Sequence, residues 1–222
     1  MKSKILKKSF YNRNTLIVAK ELLGKFIVRK IGKKEFVGMI VEVEAYNGPK
    51  DKASHASRGM TARNAVMFGH PGTAYVYMIY GMYYCFNIVT EEKGCPAAVL
   101  VRAVEVVANK NVLLEFMGLP RRAAPRNDRE ASGPGKFCRV FKIDRKLNGV
   151  ELTPSTPLLK GGLSAIWVEA RPAFVPQATG LRRGKGKLQI VAAKRVGVDY
   201  AGEYKDKLWR FYIKGNESVS KL

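Results

Sequence analysis

Glu35-Phe-Val-Gly-Met-Ile-Val-Glu-Val-Glu-Ala-Tyr46 is the stretch on which the fold turns. It is dense in β-branched and aromatic residues, carries no proline, and ends at Asn47-Gly48-Pro49, a strong stop, so it reads as one long strand. The two-residue period sends Met39, Val41, Val43 and Ala45 to one face and Ile40, Glu42, Glu44 and Tyr46 to the other. One face is apolar, and the opposite face sets carboxylates beside an aromatic ring. On an ordinary strand such carboxylates line a solvated face.

On the N-terminal side, Lys25 to Lys30 reads as the antiparallel partner, joined through the turn Ile31-Gly32-Lys33-Lys34. Before it, Asn14 or Thr15 can cap a helix whose Leu16, Ala19, Leu22 and Leu23 fall at helical spacing, with Gly24 at its end. On the C-terminal side a short helical stretch is expected near Thr61 to Phe68. A hairpin follows, Tyr75 to Ile79 and Tyr83 to Val89, with Tyr80-Gly81-Met82 at its tip. Pro96 introduces the strand Ala97 to Val106, and the basic segment Ala108 to Ala131 reads as helix then loop. Gly133-Pro134-Gly135-Lys136 opens a helix with Phe137, Val140 and Phe141 on one face, and Leu188 to Val191 and Leu208 to Lys214 read as strands. Strands cluster with few crossover helices. The expected fold is therefore α+β: a single domain over residues 1–222, with a curved, mostly antiparallel sheet flanked by helices and a protruding β-hairpin.

The 222 residues carry 40 Lys plus Arg against 18 Asp plus Glu, a formal charge of +22, and 46 % of them are hydrophobic. Such a chain buries a core and is not a disordered polycation. Its charge attracts polyanions, so nucleic acid is the leading partner. The charge gathers in three runs, Lys2 to Lys8, Arg121 to Arg129 and Arg182 to Lys187. No apolar run reaches the roughly 18 residues of a membrane span, and no signal-type core follows the first lysines, so a cytoplasmic protein with no membrane partner is expected. Cys85, Cys95 and Cys138 form no CxxC and read as reduced core residues, and two histidines are too few for metal chemistry. Neither metal nor cofactor is expected.

In a protein this basic, carboxylates on a phosphate-binding surface need a reason to be there. Arg102 lies inside an otherwise apolar strand, where a charge must be paired or must work on a ligand. Of the five hairpin tyrosines, Tyr75 and Tyr84 read as β-core packing, whereas Tyr80 stands at the tip, where a ring can wedge between stacked bases. His55 reads as a surface histidine or a ligand contact. The glycine-rich start at Gly133 lacks the spacing of a nucleotide loop and reads as a tight entry to a helix, with phosphate contact at that helix start as the alternative reading.

Together, Val41-Glu-Val-Glu-Ala-Tyr46, His55, Arg63-Asn64, Pro71-Gly-Thr-Ala-Tyr-Val-Tyr77 and Ile79-Tyr-Gly-Met-Tyr83 with Asn87 resemble the alkyladenine (3-methyladenine) DNA glycosylase family. So do Val99-Leu-Val-Arg-Ala103, Ser132-Gly-Pro-Gly-Lys136, Arg195-Val-Gly197 and Trp209-Arg-Phe-Tyr212, in order along nearly the whole chain. The resemblance implies a monomeric, monofunctional enzyme that flips damaged purines out of double-stranded DNA and hydrolyses the N-glycosidic bond. It implies Glu44 as general base for the water, held with Arg102 and the backbone carbonyl of Val196. Tyr46 and His55 would stack on one face of the flipped base and Tyr77 on the other, Asn87 would crowd the purine 2-position, and Tyr80, with Met82 beside it, would fill the vacated stack. One departure is Asp199-Tyr200, where the family carries a Gly-His pair. Two other readings compete: a basic RNA- or DNA-binding module without catalysis, and a glycosylase that also cuts the backbone through a lysine Schiff base.

Overall fold

In the computed structural model, described for residues 4–108, 131–153, 164–170 and 188–221, β2 (Lys34–Tyr46) is the central strand. One edge of β2 pairs with β5 (Ala97–Ala108) along its length. The other edge pairs first with β1 (Phe26–Ile31) and then, at Glu42 to Glu44, with β8 (Arg210–Ile213). The sheet continues outward to β4 (Tyr83–Thr90) and β3 (Ala74–Ile79) on one side and to β6 (Ser164–Glu169) on the other, while β7 (Ile190–Ala193) pairs with β8. Every pairing is antiparallel and the sheet curls, as expected of the α+β reading.

Helices are few. After the single turn α1 (Lys8–Tyr11), α2 (Thr15–Leu22) starts where Asn14 accepts from the amides of Leu16 and Ile17, and Gly24, at φ +78°, turns the chain into β1. α3 (Pro134–Val140) has proline in its first turn and buries Phe137, Cys138 and Val140. α2 packs on β2 and β5, and α3 on β4 and β5. Their buried side chains join Met39, Val41, Val43 and Ala45 in the main core, to which Phe36 and Ile40 of the even-numbered face also belong. β2 is buried on both faces from Phe36 to Ala45, because other groups cover the even-numbered face too.

The structure departs from the expected elements in several places. β6 was not anticipated. Only Ala65–Phe68 is helical in the stretch expected from Thr61, and it is 3-10: the Asn64 side chain accepts from the Thr61 amide and donates to the carbonyls of His55 and Gly59, tying the preceding loop to itself. β8 is shorter than expected, and β7 starts two residues later, at Ile190. All three cysteines are free, but Cys95 is half-exposed and not a core residue. The segment expected as helix then loop lies mostly outside the described residues, as do the arginine run from Arg121 and the basic run from Arg182.

Candidate active site

One row of paired residues crosses five strands: Tyr75 opposite Asn87, Asn87 opposite Leu100, Leu100 opposite Glu44, and Glu44 opposite Arg210. The first four line a cavity of about 220 Å³. The register between β2 and β5 shifts at this point. Val43 pairs with Val101 and Glu42 with Ala103, so Arg102 is the extra residue of a bulge. A bulge re-aims a side chain, and this one sets Arg102 between the levels of the two carboxylates. Its Nε donates to Glu42 Oε1 at 2.9 Å while Nη1 lies 3.2 Å from Glu44 Oε1.

Glu42 and Glu44 are both fully buried. The reading of a solvated carboxylate face is therefore excluded. Glu44 Oε1 accepts from the Val196 amide at 2.7 Å and faces Arg102, and Oε2 accepts from the Tyr46 hydroxyl at 2.9 Å. Burial pushes the Glu44 carboxyl above the usual carboxylate range, while Arg102, the Val196 amide and Tyr46 pull the other way. Burial opposes ionisation of Glu42 as well, but Arg102, Ser220 and Arg210 hold it below that range. The two neighbours thus differ: Glu42 is a fixed anion, and Glu44 is the more easily protonated of the pair.

The aromatic walls come from β2, β3 and the loop after β2. Tyr46 rests one face on the Arg195 guanidinium, 4.8 Å from the ring centroid, and Arg195 is itself buried in a two-pronged pair with Asp51. This platform was missed from sequence, because Asp51 and Arg195 are 144 residues apart. His55 and Tyr77, expected on opposite sides of a base, touch each other edge to face with ring centroids 4.6 Å apart. A purine between them needs two stacking distances where there is now one contact. His55 Nδ1 bonds the Tyr75 hydroxyl at 2.9 Å, and burial followed by nearby Arg63 lowers its pKa, so its neutral form is favoured. Tyr75 is therefore more than the core packing expected of it. Asn87 is fastened by its amide to the Tyr75 carbonyl at 3.1 Å, and Cys85, expected as core, also lines the cavity.

At the mouth stand two exposed tyrosines, Tyr80 at 86 % and Tyr200 at 71 % of full exposure. Tyr80 has φ +51° and Gly81 φ +69°, and the Met82 amide donates to the Ile79 carbonyl. Two successive positive φ values are the signature of a type I′ turn, whose first position favours Asn over an aromatic. Met82 beside it is also exposed. At the start of α3 the Tyr83 ring packs close to Gly135, where a Cβ would lie 3.0 Å from it. Among the described residues no cluster of three or more His, Cys, Asp or Glu could hold a metal ion.

Residues 9–217 match the family model described as methylpurine-DNA glycosylase (MPG). A protein of Methanocella arvoryzae is 48 % identical over 98 % of this chain and 96 % of its own. One of Desulfitobacterium hafniense is 41 % identical over 98 % of each chain, and one of Legionella pneumophila strain Lens 44 % over 97 % of this chain and 98 % of its own. All three carry the provisional name 3-methyladenine DNA glycosylase.

Proposed function

Since the chain belongs to the methylpurine-DNA glycosylase family, and is thus a hydrolase of N-glycosyl bonds in DNA, we propose that Glu44 is its general base and the cavity its pocket for a damaged purine. The observation that carries the reading is a buried carboxylate, flanked by three donors, at the floor of an aromatic cavity in a protein of charge +22.

Among the described residues Oε2 accepts from Tyr46 alone, so that oxygen has a lone pair for a water. Glu44 takes a proton from this water as the water oxygen bonds C1′ of the sugar. The C1′–N bond breaks and its electron pair leaves with the purine. Fixed negative charge beside C1′ stabilises the oxocarbenium character of the transition state. Arg102 holds Glu44 from the side opposite Tyr46, and the carbonyl of Val196, whose peptide borders the cavity, steadies the water. Alkylation at N3 or N7 makes the base cationic and a good leaving group, and such a ring is attracted to tyrosine faces. Tyr46, His55 and Tyr77 hold the flipped base, and Asn87 limits substituents at its edge. Among the described residues no lysine lines the cavity, which favours hydrolysis by water over a Schiff base.

The test is release of free base, in EDTA, from duplexes carrying 7-methylguanine, hypoxanthine or ethenoadenine and from methylated DNA as the source of 3-methyladenine. Glu44→Gln keeps an acceptor for Val196 and loses the base, so release should fall about 10²- to 10⁴-fold with abasic-duplex binding retained. Release at the parental rate would remove Glu44 from the mechanism.

A further inference from the structure

Glu42 lies outside the cavity, yet it is fully buried and accepts from three donors. Its Oε1 accepts from Arg102 Nε at 2.9 Å and Arg210 Nη1 at 3.0 Å, and its Oε2 from the Ser220 amide at 2.6 Å. The Ser220 hydroxyl in turn accepts from Arg102 Nη2 at 3.2 Å. A buried ion cluster of this kind adds little stability over apolar packing. What it does supply is geometry, because a guanidinium is a rigid planar fork whose orientation follows once two of its nitrogens are fixed.

We propose that Ser220 is a positioning residue for base hydrolysis: together with Glu42 it clamps two arms of Arg102 so that the third, Nη1, is aimed at Glu44. The assignment rests on the reading of Glu44 as general base. The segment carrying Ser220 is itself well fixed. Asn216 donates to Glu105 on β5 at 2.8 Å and accepts from the Ser218 amide at 2.9 Å, Val219 joins the main core, and the Lys221 carbonyl accepts from Arg210 Nη1 at 2.7 Å. Arg210 Nε donates to the Lys194 carbonyl, one residue before Arg195. The segment at 216–221 and the loop that brings the Val196 amide to Glu44 are therefore tied through a single arginine. Ser220 seats both sides of the Arg102–Glu42 pair at once, its amide on the carboxylate and its hydroxyl on the guanidinium.

Single-turnover base release as a function of pH tests this, with melting temperature and abasic-duplex affinity measured alongside. The charged and titratable groups around Glu44 are Arg102 on β5, Glu42 and Tyr46 on its own strand, Arg210 opposite it on β8, Tyr77 on β3, Cys85 on β4, and Arg195 before its amide donor. Ser220→Ala keeps all of them and frees one arm of Arg102. It should slow release about tenfold, roughly the worth of one hydrogen bond to a charged group, and move the acid limb of the profile upward, because Glu44 loses part of its fixed counter-charge. Ser220→Thr should restore both, and affinity should stay within about twofold of the parent. If Ser220→Ala matches the parent in rate and profile while Glu44→Gln is inactive, the positioning role is wrong and the general-base reading stands. Loss of rate with an unmoved acid limb and a parallel fall in affinity or melting temperature would show a structural role only, and overturns the proposal. A parental rate for Glu44→Gln would remove the reading on which it rests.

Discussion

Tyr80→Gly should strengthen the fold and weaken the enzyme. Tyr80 is 86 % exposed and has φ +51° at the first central position of its turn. An L-residue with a Cβ pays about 1–2 kcal/mol in that region. Glycine removes this strain and gives back about 0.5–1 kcal/mol in unfolded-chain entropy. With the ring this exposed, little packing is lost when it is removed. The net gain is about 0.5–1 kcal/mol, which in a chain of this length raises the melting temperature by about 1–4 °C. A wedge ring stacked in duplex DNA is worth about 1–3 kcal/mol, so affinity for a duplex with one abasic analogue should fall about 5- to 150-fold. Fluorescence anisotropy and thermal melting on the same preparation read the two effects. Unchanged affinity with a raised melting temperature would show that the strain at the tip is unconnected with DNA, and would refute the wedge.

Base release should show an acid limb above the ordinary carboxylate range: Glu44 must be deprotonated to act, and burial raises its pKa, so the rate falls as pH drops through the raised value. A single-turnover profile flat down to the ordinary range would contradict this. Asp51→Ala leaves the Arg195 guanidinium buried without its carboxylate and should cost about 3–5 kcal/mol, seen as a fall in melting temperature of about 6–20 °C. It should also slow base release, because Tyr46 rests on Arg195. Asn87→Ala removes the polar side chain from the cavity wall and should raise the release of unmodified guanine relative to hypoxanthine, as measured on matched duplexes.

Local patterns carried most of the sheet into view. The alternation in β2 placed Glu42, Glu44 and Tyr46 on one face, and the Asn14 cap and Gly24 bounded α2 within a residue, because these signals act over a single turn or pleat. What was not legible depends on pairing at long range. β6 is a six-residue run with one acidic end, too short to declare itself until it lies beside β1, where Glu169 meets Phe26. The bulge that aims Arg102 is a property of the register between two strands and of neither alone. The aromatic count suggested a pocket, but core tyrosine and pocket tyrosine have the same local sequence, and Tyr75 showed its role only through the His55 ring across from it. Ser220 gave no signal at all, since a serine among polar residues is the commonest of surface patterns.

If the cavity takes a flipped base as proposed, the edge-to-face contact of His55 and Tyr77 makes entry to it a competition. An aromatic pair of this geometry is worth about 0.5–1.5 kcal/mol, so every extruded base meets an incumbent that lowers its occupancy by about two- to thirteenfold. The handicap is the same for all guests. Every base must leave its own stack to enter, but an electron-poor ring would replace one contact with two strong ones, whereas an ordinary purine would gain less on arrival. On the proposed reading, two rings that hold each other set a threshold that every base meets before Glu44, and what each base gains between them decides which ones pass it.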